Sequence, residues 1–553
     1  MKKTFIYILL FLLSADLYSQ EGKDIIFGAM EKEAQRGMDS LKLPGSPKPF
    51  YISYSVIDKE VLDVRSSLGA ILYSRKMPRF RNISIKLLLG DYNNSSITNF
   101  SSAITTSKAS SENDLAQLRR VLWLATDASY KDAAKTFKQK SASSATKNFP
   151  DFIKSDPFVK DTTEFNKIPF KRELWEKRLM ELSSVFLKYP YIVKSSVDYS
   201  ASNTFYYFYN TEGIRFVQPV ALSTIIIEAA IMDEYGQEHS DKIEIIASSD
   251  DYLPSDAQVT SRIETMIRSL KEISAAKEID EYYCGPVLFE DQSVYKMFME
   301  NLIMKNGIVA QRDNINMNSG AARISKIDKS LVSRINKKLI DQKITIKDLS
   351  FLSTYNGTPL PGYIGIDAEG IRKEGEITIV DKGILKRLIS GRSPADSGLV
   401  PTSSMRFSTK GTDVSYSLTP TLLTIGTSIG RSPEKMKRVL LKAAAGEGLK
   451  YAYIIRRYPE LRSNISTLIY KVDVKTGAEK LVKSAALLTT INIAVLKRIR
   501  AVSNKEQTMS LLVDNNPLTL TLPKAILLDD IELNNLSFKK EKPLPLTNPL
   551  LRN

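Results

Sequence analysis

The sequence predicts an α+β protein in which an N-terminal region of helices and antiparallel strands precedes a β-rich C-terminal domain. Three observations lead there. An amphipathic stretch over 21–41 is followed by runs rich in Tyr, Ile, Val and Leu that read as strands. Gly213 and Gly383 sit in short polar turns between strand-like runs, the pattern of β-hairpins. Beyond residue 350 most periodic segments have strand character. A chain of 553 residues is long enough for two or three domains with ample core.

Residues 1–19 read as a secretory signal. Lys2 and Lys3 form its charged region, and Phe5 to Leu13 form an apolar core too short to span a bilayer. Cleavage is expected after Ser19, leaving Gln20, with cleavage after Ala15 as the alternative. No cysteine lies near this site, so no lipid anchor is expected. The mature protein is then exported, periplasmic or extracellular, and not stably inserted in a membrane. Four regions follow: an N-terminal and middle α+β region over 20–280, a helix and polar excursion over 281–350, a β-rich domain over 351–540, and a proline-rich tail over 541–553.

In chain order, Ile25, Ile26, Met30, Ala34, Met38 and Leu41 share a helical face, stopped by Pro44 to Pro49. Strands follow over 50–57, 61–67, 70–74 and 83–90. A long helix over 112–140 buries Leu115, Leu118, Leu122, Ala125 and Ala133, with Trp123 as a packing anchor. Residues 141–161 read as a surface loop. A helix over 173–187 precedes strands over 191–199, 204–209, 214–218 and 222–232. The polar turn after them carries His239, expected to be solvated. A helix over 256–278 with Val259, Ile263, Met266, Ile267 and Leu270 on one face leads to a buried strand at Pro286–Phe289 and a helix over Val294–Lys305. Residues 311–350 are basic and polar, as in an exposed excursion. Later come a hairpin around Asp381-Lys382-Gly383, a helix opened by Ser432-Pro433-Glu434, strands over 451–455 and 467–474, a segment of helix or strand over 489–499, and a strand over 521–533.

Composition excludes several chemistries. One cysteine, Cys284, rules out an intramolecular disulfide, and with one histidine, His239, it rules out structural zinc built from about four such ligands. Cys284 opens a strand and reads as a small apolar side chain with nothing near it to lower its pKa. The net charge of +16 suits an anionic partner, yet the lysines and arginines are interleaved with acids and cluster only at 435–438 and 497–500. A solvated basic surface is the simpler account, and no specific nucleic-acid partner is expected. No P-loop, dinucleotide fingerprint or G-x-S-x-G elbow is present.

Four stretches, taken in order, carry a resemblance: Phe208–Gln218 with its Asn-x-x-Gly turn, Cys284–Lys305, Pro361–Ala395 with Asp367-Ala-Glu-Gly370, and Thr521–Leu533. Together they resemble the TldD/PmbA family of metallopeptidases, also known as modulators of DNA gyrase. The resemblance implies the family's α+β fold and a strand leading into a helix with His-Glu-x-x-x-His. At the matching positions this chain reads Met299-Glu300-Asn301-Leu302-Ile303-Met304. Relatives that bear zinc are understood to use the two histidines and a downstream cysteine as ligands, with the Glu as base. Here methionines stand at both histidine positions, and no cysteine follows Cys284. Thioether sulfur is a poor zinc ligand. The resemblance therefore implies no zinc or other cofactor in this chain, with Glu300 as the surviving catalytic position.

A copper site of Met297, Met299, Met304 and Met317 is disfavoured, because residues five apart on an α-helix diverge by about 140° and packing accounts for their apolar character. Lys296, four residues before Glu300, is expected to form a solvated pair with it. The family works as paired metal-bearing and metal-free subunits, which implies a homo- or heterodimer handling peptide, with this chain as the metal-free subunit. Two alternatives remain: an active metallopeptidase whose ligands lie in another register, and a basic binding protein for an acidic polymer.

Overall fold

The structure is a computed structural model describing residues 23–98, 104–141, 148–161, 165–279, 281–304, 307–310, 314–316, 323–325, 331–410, 413–458, 465–483 and 485–535. The signal segment 1–19, Lys305, Met317 and the tail from Pro543 lie outside these residues. No helix among the described residues is long and apolar enough to cross a membrane.

The N-terminal half is a seven-stranded sheet. Its strands are β1 (Pro49–Ser67), β2 (Ala70–Leu89), β3 (Ile104–Ala109), β4 (Phe158–Lys160), β5 (Ile192–Asn210), β6 (Ile214–Met232) and β7 (Glu238–Ala247). They lie in the order β3-β2-β1-β5-β6-β4, with β7 also on β6, and all pairs except β4–β6 are antiparallel. Strand pairs expected to be separate run together as single strands. At 58–60 the charged run does not turn, because Asp58 is buried against Arg81, whose Nε and Nη2 donate to it at 2.6 and 2.7 Å. Pro219 interrupts nothing in β6. It falls between the stretch paired with β4 (214–216) and the stretch paired with β7 (223–232), where a missing N–H costs no ladder bond.

Alternation decides which face is covered. Ile52, Tyr54, Leu62 and Val64 of β1 meet four helices: α1 (23–40), α2 (Leu115–Ser141), α3 (Arg172–Ser184) and α4 (Asp256–Ala275). Ile57, Tyr206, Phe208 and Phe216 face the other way, into the core of the C-terminal half. Trp123 on α2 is 45% exposed with Arg36 over its ring, so it anchors nothing. The anchor is Trp175, buried and stacked on Tyr199. The expected surface loop over 141–161 also differs, since Asp151 and Phe152 are buried within it.

The C-terminal half has an eight-stranded sheet and a six-stranded sheet. Two strands of the former come early in the chain, β8 (Lys277–Glu278) and β9 (Tyr283–Glu290). β9 lies centrally, parallel to Tyr451–Arg457 and antiparallel to Ala525–Asn535. Its Val287 and Phe289 face α5 (Gln292–Phe298), and Leu288 faces α6 (Pro433–Gly446). The six-stranded sheet ends on the edge strand Glu506–Val513. The polar excursion expected to reach residue 350 stops earlier. Leu339, Ile340, Ile344 and Ile346 are fully buried, and Thr345–Asp348 is an interior strand.

Candidate site on the wall of the cleft

β9 delivers the chain to the site through a strained junction. Asp291 has φ 51° and ψ −120°, a positive-φ conformation that side chains rarely adopt, and its N–H bonds to the Lys524 carbonyl at 3.0 Å. Ser293 pins the first turn of α5 by donating to the carbonyls of Glu290 (2.7 Å) and Ile455 (2.6 Å). Val294, Met297 and Phe298 are buried against the sheet.

The helix expected to continue to Lys305 changes character at Met299. Residues Met299–Met304 form a π-helical turn. Asn301 supplies a physical cause: its Nδ2 donates to the Met297 carbonyl at 2.8 Å, the acceptor that an α-helix reserves for the Asn301 amide. The exit is as tight. A Cβ on Gly307 would lie 2.2 Å from the Asn301 carbonyl oxygen, and the Ile308 N–H bonds back to Leu302 at 2.8 Å.

The π turn corrects the face argument drawn from α-helical spacing. An i→i+5 hydrogen-bond pattern brings residues five apart onto neighbouring positions of successive turns. Met299 and Met304 stand at that spacing, and both line one side pocket of about 370 Å³. Their exposures still differ, with Met299 buried and Met304 66% exposed. Met297 is fully buried in the core and does not line the pocket.

Glu300 faces the same pocket, with Lys296 Nζ 3.5 Å from its carboxylate. The pair predicted from their spacing is present, but it is not solvated. Lys296 is buried, donates to the Tyr458 carbonyl at 3.2 Å and lies 4.8 Å from the centre of the Tyr458 ring. Burial and the Glu300 charge push the Tyr458 hydroxyl well above its ordinary pKa, and that buried oxygen has no hydrogen-bond partner among the described residues. Tyr458 was not singled out from the sequence, because nothing local marks it.

The pocket opens from a cleft of about 1510 Å³ between the two halves, with Tyr295, Lys296, Leu511 and Leu512 lining both. One side of the cleft is β7 and the other is the edge strand Glu506–Val513. Its charged residues largely neutralise one another. Arg65 pairs with Asp198, Arg457 with Asp241, and Arg456 with both Glu290 and Glu479. The two basic clusters are also tied to acids: Lys437 to Glu479, Arg498 to Asp530 and Arg500 to Asp529.

The donor set at the turn does not fit zinc. It comprises two thioethers and one carboxylate that already faces an ammonium group. Among the described residues, no group of three His, Cys, Asp or Glu side chains converges on one point.

Two residues expected elsewhere need correcting. His239 lies at the start of β7, not in a solvated turn. It is buried, with Nε2 3.3 Å from Asp233, which also pairs with Lys483 at 3.0 Å. Burial pushes Asp233 up, but bonds from Lys483, the Gln237 amide and His239 outweigh it and hold the carboxyl below its ordinary pKa. Cys284 is exposed rather than buried. Desolvation, then the charges of Glu532, Asp530 and Glu447, push its thiol up, against the need of a nucleophile.

The Asp-x-Glu-Gly turn has a structural role. Asp367 accepts from the backbone amides of Glu369 and Ile371, both at 2.9 Å, and of Met405 at 3.2 Å. Glu369 accepts from Lys86 of β2 at 2.8 Å and from the Arg392 amide at 2.8 Å. Arg392, fully buried, places Nη2 2.6 Å from each oxygen of Glu212 at the β5–β6 turn. The motif thus clasps the two halves together.

The fold is shared with several solved structures. TldE from Thermococcus kodakarensis superposes with a TM-score of 0.58 at 12% identity, over 92% of this chain and 100% of that one. A protein described as a candidate modulator of DNA gyrase from Thermotoga maritima MSB8 gives 0.56 at 14% identity, over 93% and 100%. Another so described, from Bacteroides thetaiotaomicron VPI-5482, gives 0.55 at 13% identity, over 92% and 99%. The chain therefore has the TldD/PmbA fold along most of its length. No protein-family model matches the sequence, and no curated protein sequence matches it.

Proposed function

We propose that this chain is an exported, peptide-handling protein of the TldD/PmbA type that carries no metal of its own and serves as the metal-free subunit of a peptidase-like pair. One observation carries the reading. The π turn Met299–Met304 lines the side pocket that opens from the cleft and spans the six positions that resemble His-Glu-x-x-x-His. A motif with ligands five residues apart needs this i→i+5 geometry to aim both at one ion. Here the geometry is kept and thioethers stand at both ends. Glu300, without a metal-bound water to activate, holds Lys296 and presents a polar edge to the side pocket.

Peptide is the substrate class that suits the cleft. Among the described residues, β7 pairs with β6 and, beyond it, only through a bridge from Ser240 to Ile465, and Glu506–Val513 pairs only with Asn516–Pro523. Both edges leave backbone donors and acceptors to which an extended chain can add. The near balance of charge along the walls favours a peptide backbone over an acidic polymer.

The test is metal analysis and peptide cleavage on the purified mature protein, alone and after capture of a partner from the exported fraction of its source. The expected result is no stoichiometric zinc and no cleavage alone, with chelator-sensitive cleavage once a zinc-bearing partner of the same fold is present. One zinc per chain in the isolated protein would overturn the reading.

A further inference from the structure

We infer that the side pocket beside Glu300 is a specificity pocket that takes one large apolar side chain, such as Leu, Met or Phe, from an extended peptide lying in the cleft. This rests on the proposed peptide-handling role and adds a preference that the role does not itself contain.

The pocket has the volume and the chemistry for such a group. Its 370 Å³ lies in the range of ligand-sized pockets, and its apolar walls include Met299, Ile303, Met304, Leu418, Leu511 and Val513. Met304 is 66% exposed, an unusual placement for a long apolar side chain unless something covers it. Methionine suits this position because its unbranched thioether adapts to side chains of different shape. Among the described residues, the charged side chains lining the pocket are Lys296, Glu300 and Asp514, and the first two neutralise each other. An acidic side chain entering here would lose water and meet the Asp514 carboxylate, while the Lys296 ammonium is already held by Glu300.

Continuity with the cleft identifies the occupant as part of a peptide. Leu511 and Leu512 line both spaces, and they belong to the edge strand Glu506–Val513. A peptide strand added along this edge sends alternate side chains to opposite faces. A side chain on the face shared with Leu511 and Val513 then enters the pocket. Its immediate neighbours along the peptide point to the opposite face of the added strand.

The experiment measures binding of fluorescein-labelled octapeptides that are identical except for Leu, Ala or Asp at one central position. Each is titrated with the full mature protein and with the Met304→Trp variant, whose bulk fills the pocket from an exposed position. In the wild type the Leu peptide is expected to bind roughly 10-fold or more tightly than the Ala peptide, and the Asp peptide most weakly. In Met304→Trp the ratio of Leu to Ala affinity should fall below about 3-fold. Equal binding of the Leu and Ala peptides in the wild type, or a Leu-to-Ala ratio unchanged by Met304→Trp, overturns the specificity pocket while leaving peptide handling intact. Failure of every peptide to bind overturns peptide handling and the pocket with it.

Discussion

Replacing Arg392 by Met should cost about 3–5 kcal/mol of stability, the range for stranding one member of a buried ion pair. The structure puts this residue at the high-cost end. Its guanidinium is fully buried, donates to both oxygens of Glu212 at 2.6 Å and sends Nε to the Ile153 carbonyl at 2.8 Å. It also lies 4.1 Å from the centre of the Phe152 ring. With Arg392 gone, Glu212 keeps only uncharged donors, Tyr92 at 2.9 Å and Asn210 at 3.2 Å, in a site that its side chain shares with almost no solvent. The Met side chain replaces part of the packing over Phe152 but none of the charge. The assay is urea unfolding followed by circular dichroism, with stability taken from the midpoint and slope. A Glu212→Leu, Arg392→Met double variant separates stranded charge from lost packing and should recover at least half of the single-variant loss. A loss below about 1 kcal/mol in Arg392→Met, against the 3–5 expected, or a double variant as unstable as the sum of the two singles, would refute the clasp as an energetic link between the halves.

Two further outcomes follow from the fold. Burial and the adjacent Glu369 charge push Asp367 up to about 7. The native state therefore holds a proton that the unfolded chain has released, and the contribution of this group falls as pH rises from about 4 to 7, at up to about 1.4 kcal/mol per pH unit. Asp367→Asn should flatten that stretch of the stability profile, and an unchanged slope counts against the assignment. Gly307→Ala forces a Cβ into the Asn301 carbonyl and should cost about 1–3 kcal/mol. Gly446→Ala, where nothing lies within 4 Å, should be neutral or stabilising in the same urea unfolding assay.

The sequence made some of this architecture legible because the signal was local. The continuous apolar run Pro286–Phe289 marks a strand buried on both faces, and the positive φ of Gly213 and Gly383 sits where the hairpins turn. It failed where a distant partner decides the outcome. Asp58-Lys59-Glu60 reads as a turn unless Arg81 is known to lie beside Asp58. His239 reads as a solvated turn residue until Asp233 and Lys483, the latter 244 positions further on, close around it. Lys86 and Glu369 are 283 residues apart, so no local pattern announces that the Asp-x-Glu-Gly turn clasps two halves. At the site, the identities of Met299, Glu300 and Met304 were readable, but their geometry was not. That geometry depends on one side-chain choice, Asn301 taking the Met297 carbonyl, which α-helical periodicity does not anticipate.

This choice makes the site testable by restoration. On an α-helix, histidines at 299 and 304 would point apart and could not bind one ion together. On the π turn they stand one turn apart on the wall of the same pocket. Met299→His, Met304→His should therefore bind zinc about 100-fold more tightly than either single variant, because the second imidazole acts at high effective concentration. Adding Asn301→Ala frees the Met297 carbonyl for the backbone and should remove most of that gain if the turn reverts to α geometry. Zinc titration followed by competition with a colorimetric chelator reads both steps. A double variant no tighter than the singles would mean that the two positions do not converge, and the reading of this turn as a metal-site scaffold without its ligands would fail with it.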